Sequence, residues 1–349
     1  MKRFLLLGLA LLLAACGDDD GGGGGTDAGG GTDSAVETDS GGGGSNADLA
    51  VLIEAEDTIT EGLDPGGDDC GECIADGWTV RFDRYIVALG DVTLNFSTDM
   101  TVEATNTDVF LYDLAQAPAA GETLWNFDNL STGRWDIRYR QPLAAGATPN
   151  GNVDAADAQT MVDGGCSYLI SGMVTKSDGR SCLPSTDMVP DGRDPDADGC
   201  YENTSIDFTF CVPADTLYGP CSAEDGPSGV AVTEGGSNAS LTIHGDHLFF
   251  NGFPEGDEGG VTRLVQWFAD CDLNLDGTVT EEELRSILLD DLAEIDDRYD
   301  LGGAPALPPL PGTTEPEPMD DGWAYLRAQT KTQGHFNGEG ECPVDGVEE

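Results

Sequence analysis

Between Asp272 and Glu283 the chain places six oxygen-bearing residues at intervals that suit a hard divalent cation. Asp272, Asn274, Asp276, Thr278, Thr280 and Glu283 occupy positions 1, 3, 5, 7, 9 and 12 of the stretch DLNLDGTVTEEE, with Gly277 at position 6. Calcium takes about six to eight oxygens in a flexible shell. Asp272, Asn274 and Asp276 would supply side-chain oxygens, Thr278 its backbone carbonyl, Thr280 a direct or water-borne contact, and Glu283 both carboxylate oxygens. Gly277 permits the sharp turn and Val279 fills the apolar position that follows it.

A second chemistry is open to the 3 histidines of the chain. His244 and His247 fall in TIHGDHLFF, and His335 in QGHFNGEGEC. Imidazole suits copper or zinc, so the three make a site if their segments meet in space. A bulge at Gly245 would bring His244 and His247 to one side of a strand, and Asp246, Glu339 or Cys342 could orient or complete the set. The catalytic signatures HExxH, GxSxG and GxxxxGK are absent from the sequence. A metal-dependent hydrolase built on the three histidines is the one enzyme reading that survives, and a binding role is preferred to it.

The loop and its flanks, residues 259–298, closely resemble the EF-hand family. That resemblance implies a helix–loop–helix holding calcium, and outside a cell such an ion is structural more often than it is a signal. The flanks agree: Val261, Leu264, Val265 and Phe268 follow one helical face, as do Leu284, Ile287, Leu288, Leu292 and Ile295. Two features depart from the family. No second complete loop is present, and Cys271 directly precedes the first ligand position, where a disulfide would restrain the helix pair. DPDADGCYENTS imitates the first half of such a loop through Asp194, Asp196 and Asp198, but Ser205 stands where the bidentate acid belongs, which leaves a weak site at best. NGNVDAADAQTM reads as a turn entering a helix.

The N-terminus, MKRFLLLGLALLLAAC, sets Lys2 and Arg3 before an apolar run too short to span a bilayer, the pattern of an export signal. Leu13, Ala14, Ala15 and Cys16 resemble the lipobox of bacterial lipoproteins, which implies lipid on Cys16 and attachment to a membrane. Gly17 after the cysteine implies the outer membrane. Residues 17–46 are rich in glycine and aspartate and carry no base, the composition of a disordered tether. The whole resembles uncharacterised bacterial lipoproteins with a late EF-hand, a resemblance that implies no activity and leaves the protein or ligand partner unknown.

These motifs need elements to hold them. Short alternating apolar segments separated by turn residues run from Trp78 to Phe250, with a bulge or bend expected near Asp83. In GRWDIRYRQ, Trp135, Ile137 and Tyr139 face one way, while Arg134, Arg138 and Arg140 face the other and are expected to pair with carboxylates. The fold expected is mainly β: an antiparallel β-sandwich-like domain with a C-terminal EF-hand helix–loop–helix. Its divisions would be 1–15 signal peptide, 16–46 anchored cysteine and tether, 47–258 β-rich domain, 259–300 EF-hand unit, and 301–349 proline-rich loop and C-terminal segment, the last with a short helix capped by Asp320 or Asp321. A formal net charge of -51 argues against nucleic acid as a partner. Besides Cys16, the 10 cysteines include the CGEC pair Cys70 and Cys73, read as a structural bridge, and in an exported chain disulfides persist.

Overall fold

The computed structural model describes residues 45–66, 73–224, 226–253, 261–292 and 304–344. The signal segment, Cys16, most of the tether, and Cys70 of the CGEC pair lie outside them. The described residues form strands, several of which alternate in burial. They are β1 (Asn46–Ala55), β2 (Thr79–Phe96), β3 (Asp99–Asp113), β4 (Glu122–Ser131), β5 (Gly133–Gln141), β6 (Thr148–Pro149), β7 (Tyr168–Thr175), β8 (Arg180–Ser181), β9 (Tyr201–Glu202), β10 (Ser205–Val212), β11 (Thr216–Tyr218), β12 (Val230–Val232), β13 (Ser237–Ile243), β14 (Thr278–Val279) and β15 (Gly334–Phe336). The helices are short: α1 (Asp57–Thr60), α2 (Ala155–Gly164), α3 (Gln266–Ala269), α4 (Glu281–Arg285) and α5 (Gly322–Lys331).

Two sheets dominate, and the protein is mainly β. One has the order β15-β13-β1-β4. The other runs β11-β5-β2-β7-β10-β14, with β3 and β12 paired to its inner strands. Their apolar faces share one core, in which Leu49, Val51 and Ile53 of β1 and Leu241 and Ile243 of β13 join Val87 and Leu89 of β2 and Ile137 and Tyr139 of β5. Most pairings are antiparallel as expected, but β1 with β13, β10 with β14 and β3 with β6 are parallel. Alternation alone does not report strand direction, so this departure was not visible in the sequence.

β2 organises the larger sheet. It pairs β7 through its first half, β5 through its second and β3 on the other side. The register shifts between Phe82 and Arg84, where the bend near Asp83 was expected, and again between Gly90 and Val92. Because Ile86 and Ala88 on its outer face are covered by Ala158 and Met161 of α2, the middle of β2 is buried on both sides. Of the three arginines on β5, only Arg140 takes a carboxylate, Asp215, at 2.9 Å. Arg134 donates to the carbonyls of Ser228 and Gly229, and Arg138 to that of Gly219.

The C-terminal helix begins as expected: Asp321 caps α5 by accepting from Ala324 N at 2.7 Å. Every residue of α5 is buried. Arg327, fully buried, donates to the carbonyls of Pro213 and Pro308 and pairs with Glu317, which ties the proline-rich stretch to the helix. Disulfides join Cys166 to Cys211, Cys182 to Cys200 and Cys221 to Cys342, as suits an oxidising compartment. Cys73 is disulfide-bonded as well. Cys271 keeps a buried thiol that donates to the Trp267 carbonyl, so no disulfide restrains the loop after it. Among the described residues no helix is long and apolar enough to cross a membrane.

Candidate metal centre

The three histidines meet. β13 ends at Ile243 and delivers His244 as the next residue. Instead of the expected bulge, Gly245 adopts helical angles and starts a 3-10 turn, Asp246–Phe249, which carries His247 back towards His244. Glycine is required there because a Cβ would sit 2.5 Å from Ile59 Cγ1. His335 arrives on β15, which pairs with β13 through Thr242. Gly334 before it has no room for a side chain, since a Cβ would lie 2.4 Å from the Tyr139 hydroxyl.

One ligand atom from each ring lies within 4.8 Å of the others. The rings of His244 and His335 stack with centroids 3.8 Å apart, and His247 stands edge-on to both at 5.6 and 5.2 Å. Stacked rings present their in-plane lone pairs side by side, so one ion held by both requires one ring to turn.

A hydrogen bond chooses the tautomer of one ring. Thr332 Oγ1 donates to the Gln329 carbonyl at 2.9 Å, which leaves it to accept from His247 Nδ1–H at 2.9 Å. With the proton on Nδ1, the ring lone pair of His247 lies on Nε2, the usual second-sphere logic of a metal-binding imidazole. His244 has an oxygen at each nitrogen: Glu56 Oε1 is 3.1 Å from Nδ1 and the Gly338 carbonyl 3.3 Å from Nε2. A neutral ring donates to only one of them, so a metal on the other nitrogen would displace the oxygen beside it. Burial, with the neighbouring His244 and His247 adding to it, holds the His335 imidazole well below its usual range, and its Nδ1 is buried with no hydrogen-bond partner. A neutral imidazole is the form that ligates.

Acidic groups surround the rings. Asp246 is 1% exposed; Arg263 Nε and Nη2 both grip its Oδ2, while its Oδ1 is buried with no hydrogen-bond partner. Glu56, His244 and Asp246 form a second set with ligand atoms within 4.8 Å of one another. Glu339, half-exposed, reaches to 3.9 Å from His244 Nδ1. Cys342 is committed to its disulfide with Cys221 and cannot complete the site. Each buried orphan polar atom costs about 1–3 kcal/mol, and Asp246 Oδ1 and His335 Nδ1 lie in one neighbourhood.

In the acidic loop, the side-chain oxygens turn inward onto the loop's own amides. Asp272 accepts from Asp276 N and Gly277 N, Asn274 accepts from Asp276 N, and Asp276 accepts from Thr278 N at 2.9 Å. Glu283 and Thr280 form a capping box at the start of α4. Desolvation by burial raises both the Asp272 and Glu283 carboxyls. Among the described residues, the only sets of three or more acids, histidines or cysteines within 4.8 Å both contain His244, so the loop's acids do not converge to that distance. The flanking helices are also shorter than their periodicity suggests. Residues 262–264 instead lie against the 3-10 turn, with Leu264 N donating to Phe249 O, and after α4 Leu288 bridges to Asp321; Ile295 lies outside the described residues.

The imitation loop at residues 194–205 is spoken for by an arginine. Arg180 Nη1 lies 3.0 Å from both Asp196 and Asp198, so a guanidinium occupies the place a cation would take. An open groove of about 450 Å³ runs beside the calcium-type loop between Arg193, Asn203, Ser205 and Gly277, away from the histidines. No family model, curated protein or solved structure matches the chain.

Proposed function

We propose that this chain is an exported metal-binding protein of the bacterial envelope, held to the outer membrane by lipid on Cys16, with a β-sandwich-like domain. In this reading His244, His247 and His335 hold a transition ion, zinc or copper, and the EF-hand-like loop Asp272, Asn274, Asp276, Thr278, Thr280 and Glu283 holds a structural calcium ion. The observation that carries the reading is the convergence of all three histidines of the chain, from separate segments, with their ligand atoms within 4.8 Å. Binding ranks above hydrolysis because His244 and His247 are each 1% exposed, which leaves a substrate little approach.

What supports calcium is the completeness of the spacing together with the burial of the carboxylates of Asp272 and Glu283. The loop also has the strand partner that a second EF-hand normally supplies: β14 pairs in parallel with β10 of the large sheet, and Asn203 donates to Asp272 Oδ2 at 2.8 Å. Elemental mass spectrometry of the soluble form beginning after Cys16, purified without chelator or histidine tag, tests both ions. The expected result is one zinc or copper per chain, lost in His244→Ala and His335→Ala, and one calcium, lost in Glu283→Gln. A chain that carries neither transition metal after loading would overturn the reading of the histidines.

A further inference from the structure

Resting on that reading, we infer that Glu56, His244 and Asp246 hold a second, weaker divalent ion, so that the centre takes two ions with the His244 imidazole between them. Backbone register builds this set. β1 and β13 run in parallel with Ala55 opposite Ile243, so the two strands end together and deliver Glu56 and His244 side by side. The 3-10 turn then opens with Asp246, and α1, which begins after Glu56, packs Ile59 against Gly245 at the start of that turn. The ligand atoms of Glu56, His244 and Asp246 lie within 4.8 Å of one another. Neither His247 nor His335 belongs to this set, and neither carboxylate belongs to the histidine set. The two sets are separate places that meet at one ring.

An imidazole offers two nitrogens, and one ring serves two ions once both are free of protons. Nδ1 of His244 faces Glu56 Oε1 at 3.1 Å and belongs to the carboxylate set. With the ring donating to Glu56, the ion of the histidines goes to Nε2 in place of the Gly338 carbonyl. Two ligands on one zinc, with bonds of about 2.0–2.2 Å, lie roughly 3 Å apart, so Nδ1 and Oε1 already have the spacing of neighbours on an ion. The second ion takes the place of the proton between them, which passes to water. Both carboxylates are steadied through one oxygen: Thr58 Oγ1 donates to Glu56 Oε2 at 2.8 Å, and Arg263 grips Asp246 Oδ2. Ligating carboxylates are commonly fixed in this way. Asp246, 1% exposed, is left to offer Oδ1, a buried acceptor with no hydrogen-bond partner. Burying such an acceptor without a donor is costly, and a cation beside it removes the cost. One imidazole and two carboxylates are a harder set than three imidazoles, so this side suits zinc or manganese(II) and holds zinc less tightly than the histidines do.

The test is a zinc titration of the soluble chain beginning after Cys16, in saturating calcium so that the acidic loop is occupied. Wild type should take up two zinc ions, the second more weakly than the first. Glu56→Gln and Asp246→Asn should each lose the weaker ion and keep the tighter one, His335→Ala should do the reverse, and His244→Ala should weaken both. Anomalous diffraction at the zinc edge on fully loaded wild type should show two peaks, one beside each nitrogen of His244, which decides the matter even where a variant fails to fold. One zinc among the three histidines, untouched by both carboxylate variants, overturns the second site and leaves the proposed histidine centre standing. One zinc on Glu56, His244 and Asp246, with none on His247 and His335, overturns the shared centre and the histidine reading together. Two zinc ions with the weaker one away from Glu56 and Asp246 also overturns the second site. No bound zinc overturns the second site, and a chain that refuses copper as well overturns the histidine reading.

Discussion

Thr332 illustrates how much of this centre rests on residues that touch no ion. Its hydroxyl spends its proton on Gln329 and accepts from His247 Nδ1, so it decides which nitrogen of His247 can ligate. Thr332→Val keeps the shape and removes the acceptor. Zinc affinity should fall about 10- to 100-fold, as for other outer partners of metal-bound histidines, while His335 and the fold are kept. Isothermal titration together with a melting curve checks this, and unchanged affinity would mean that the hydroxyl does not orient the ring. The sequence offered no signal for Thr332, because nothing in its local pattern points 85 residues back to His247. Asp246 was readable as a neighbour of the histidines, but its clamp by Arg263 was not, since ion pairs across segments leave no periodic trace. The calcium-type loop could be put forward from sequence for the opposite reason: its oxygens are local and set by spacing, although in the structure they turn onto the loop's own amides.

Helices and strands differ in how well their patterns survive tertiary contact. The periodicity of Val261, Leu264, Val265 and Phe268 suggested a long helix, yet only Gln266–Ala269 is helical, because the backbone before it is taken up by pairing with the turn that bears His247. α5 shows the reverse, a short helix correctly bounded at Asp321 whose all-round burial no hydrophobic stripe announced. The β2 bulge was legible because a change of parity is written directly in Phe82, Arg84 and Tyr85, whereas strand direction is not written at all. The cap of α5 carries its own prediction. Burial raises the Asp321 carboxyl above its ordinary value of 3.8, despite the bond from Ala324 N that favours the anion. A raised carboxyl contributes stability that is present below the unfolded value and lost as pH rises through the folded one. Asp321→Asn keeps a good N-cap and cannot ionise, so its melting temperature relative to wild type should climb as pH rises across the carboxylate range. A difference that stays level with pH would show that the burial of Asp321 has no energetic consequence.

Across the whole molecule, the two proposed ion sites are joined at both ends of the calcium-type unit. On the entry side, Leu264 N donates to Phe249 O, Asn251 N donates to Thr262 O, and Arg263 holds Asp246 beside the histidines. On the exit side, Gly322 N donates to Ile287 O and Leu289 N to Asp320 O, which hands α4 on to α5. α5 leads directly into Thr332, into Gln333, whose carbonyl accepts from His244 N at 3.1 Å, and into His335. Calcium that ordered residues 272–283 would therefore fix both segments that position the histidine cluster, and an ion that ordered the cluster would fix both ends of the loop. Binding free energies linked in this way must be reciprocal. Zinc affinity measured in saturating calcium should exceed that in calcium-free buffer by about fivefold or more, and calcium affinity should rise by the same factor in saturating zinc. Arg263→Lys, which loses the two-pronged grip on Asp246, should shrink both factors together. Equal zinc affinities with and without calcium, in a chain that binds both ions, would show that the connecting segments hold their positions without the loop and that the two sites act independently.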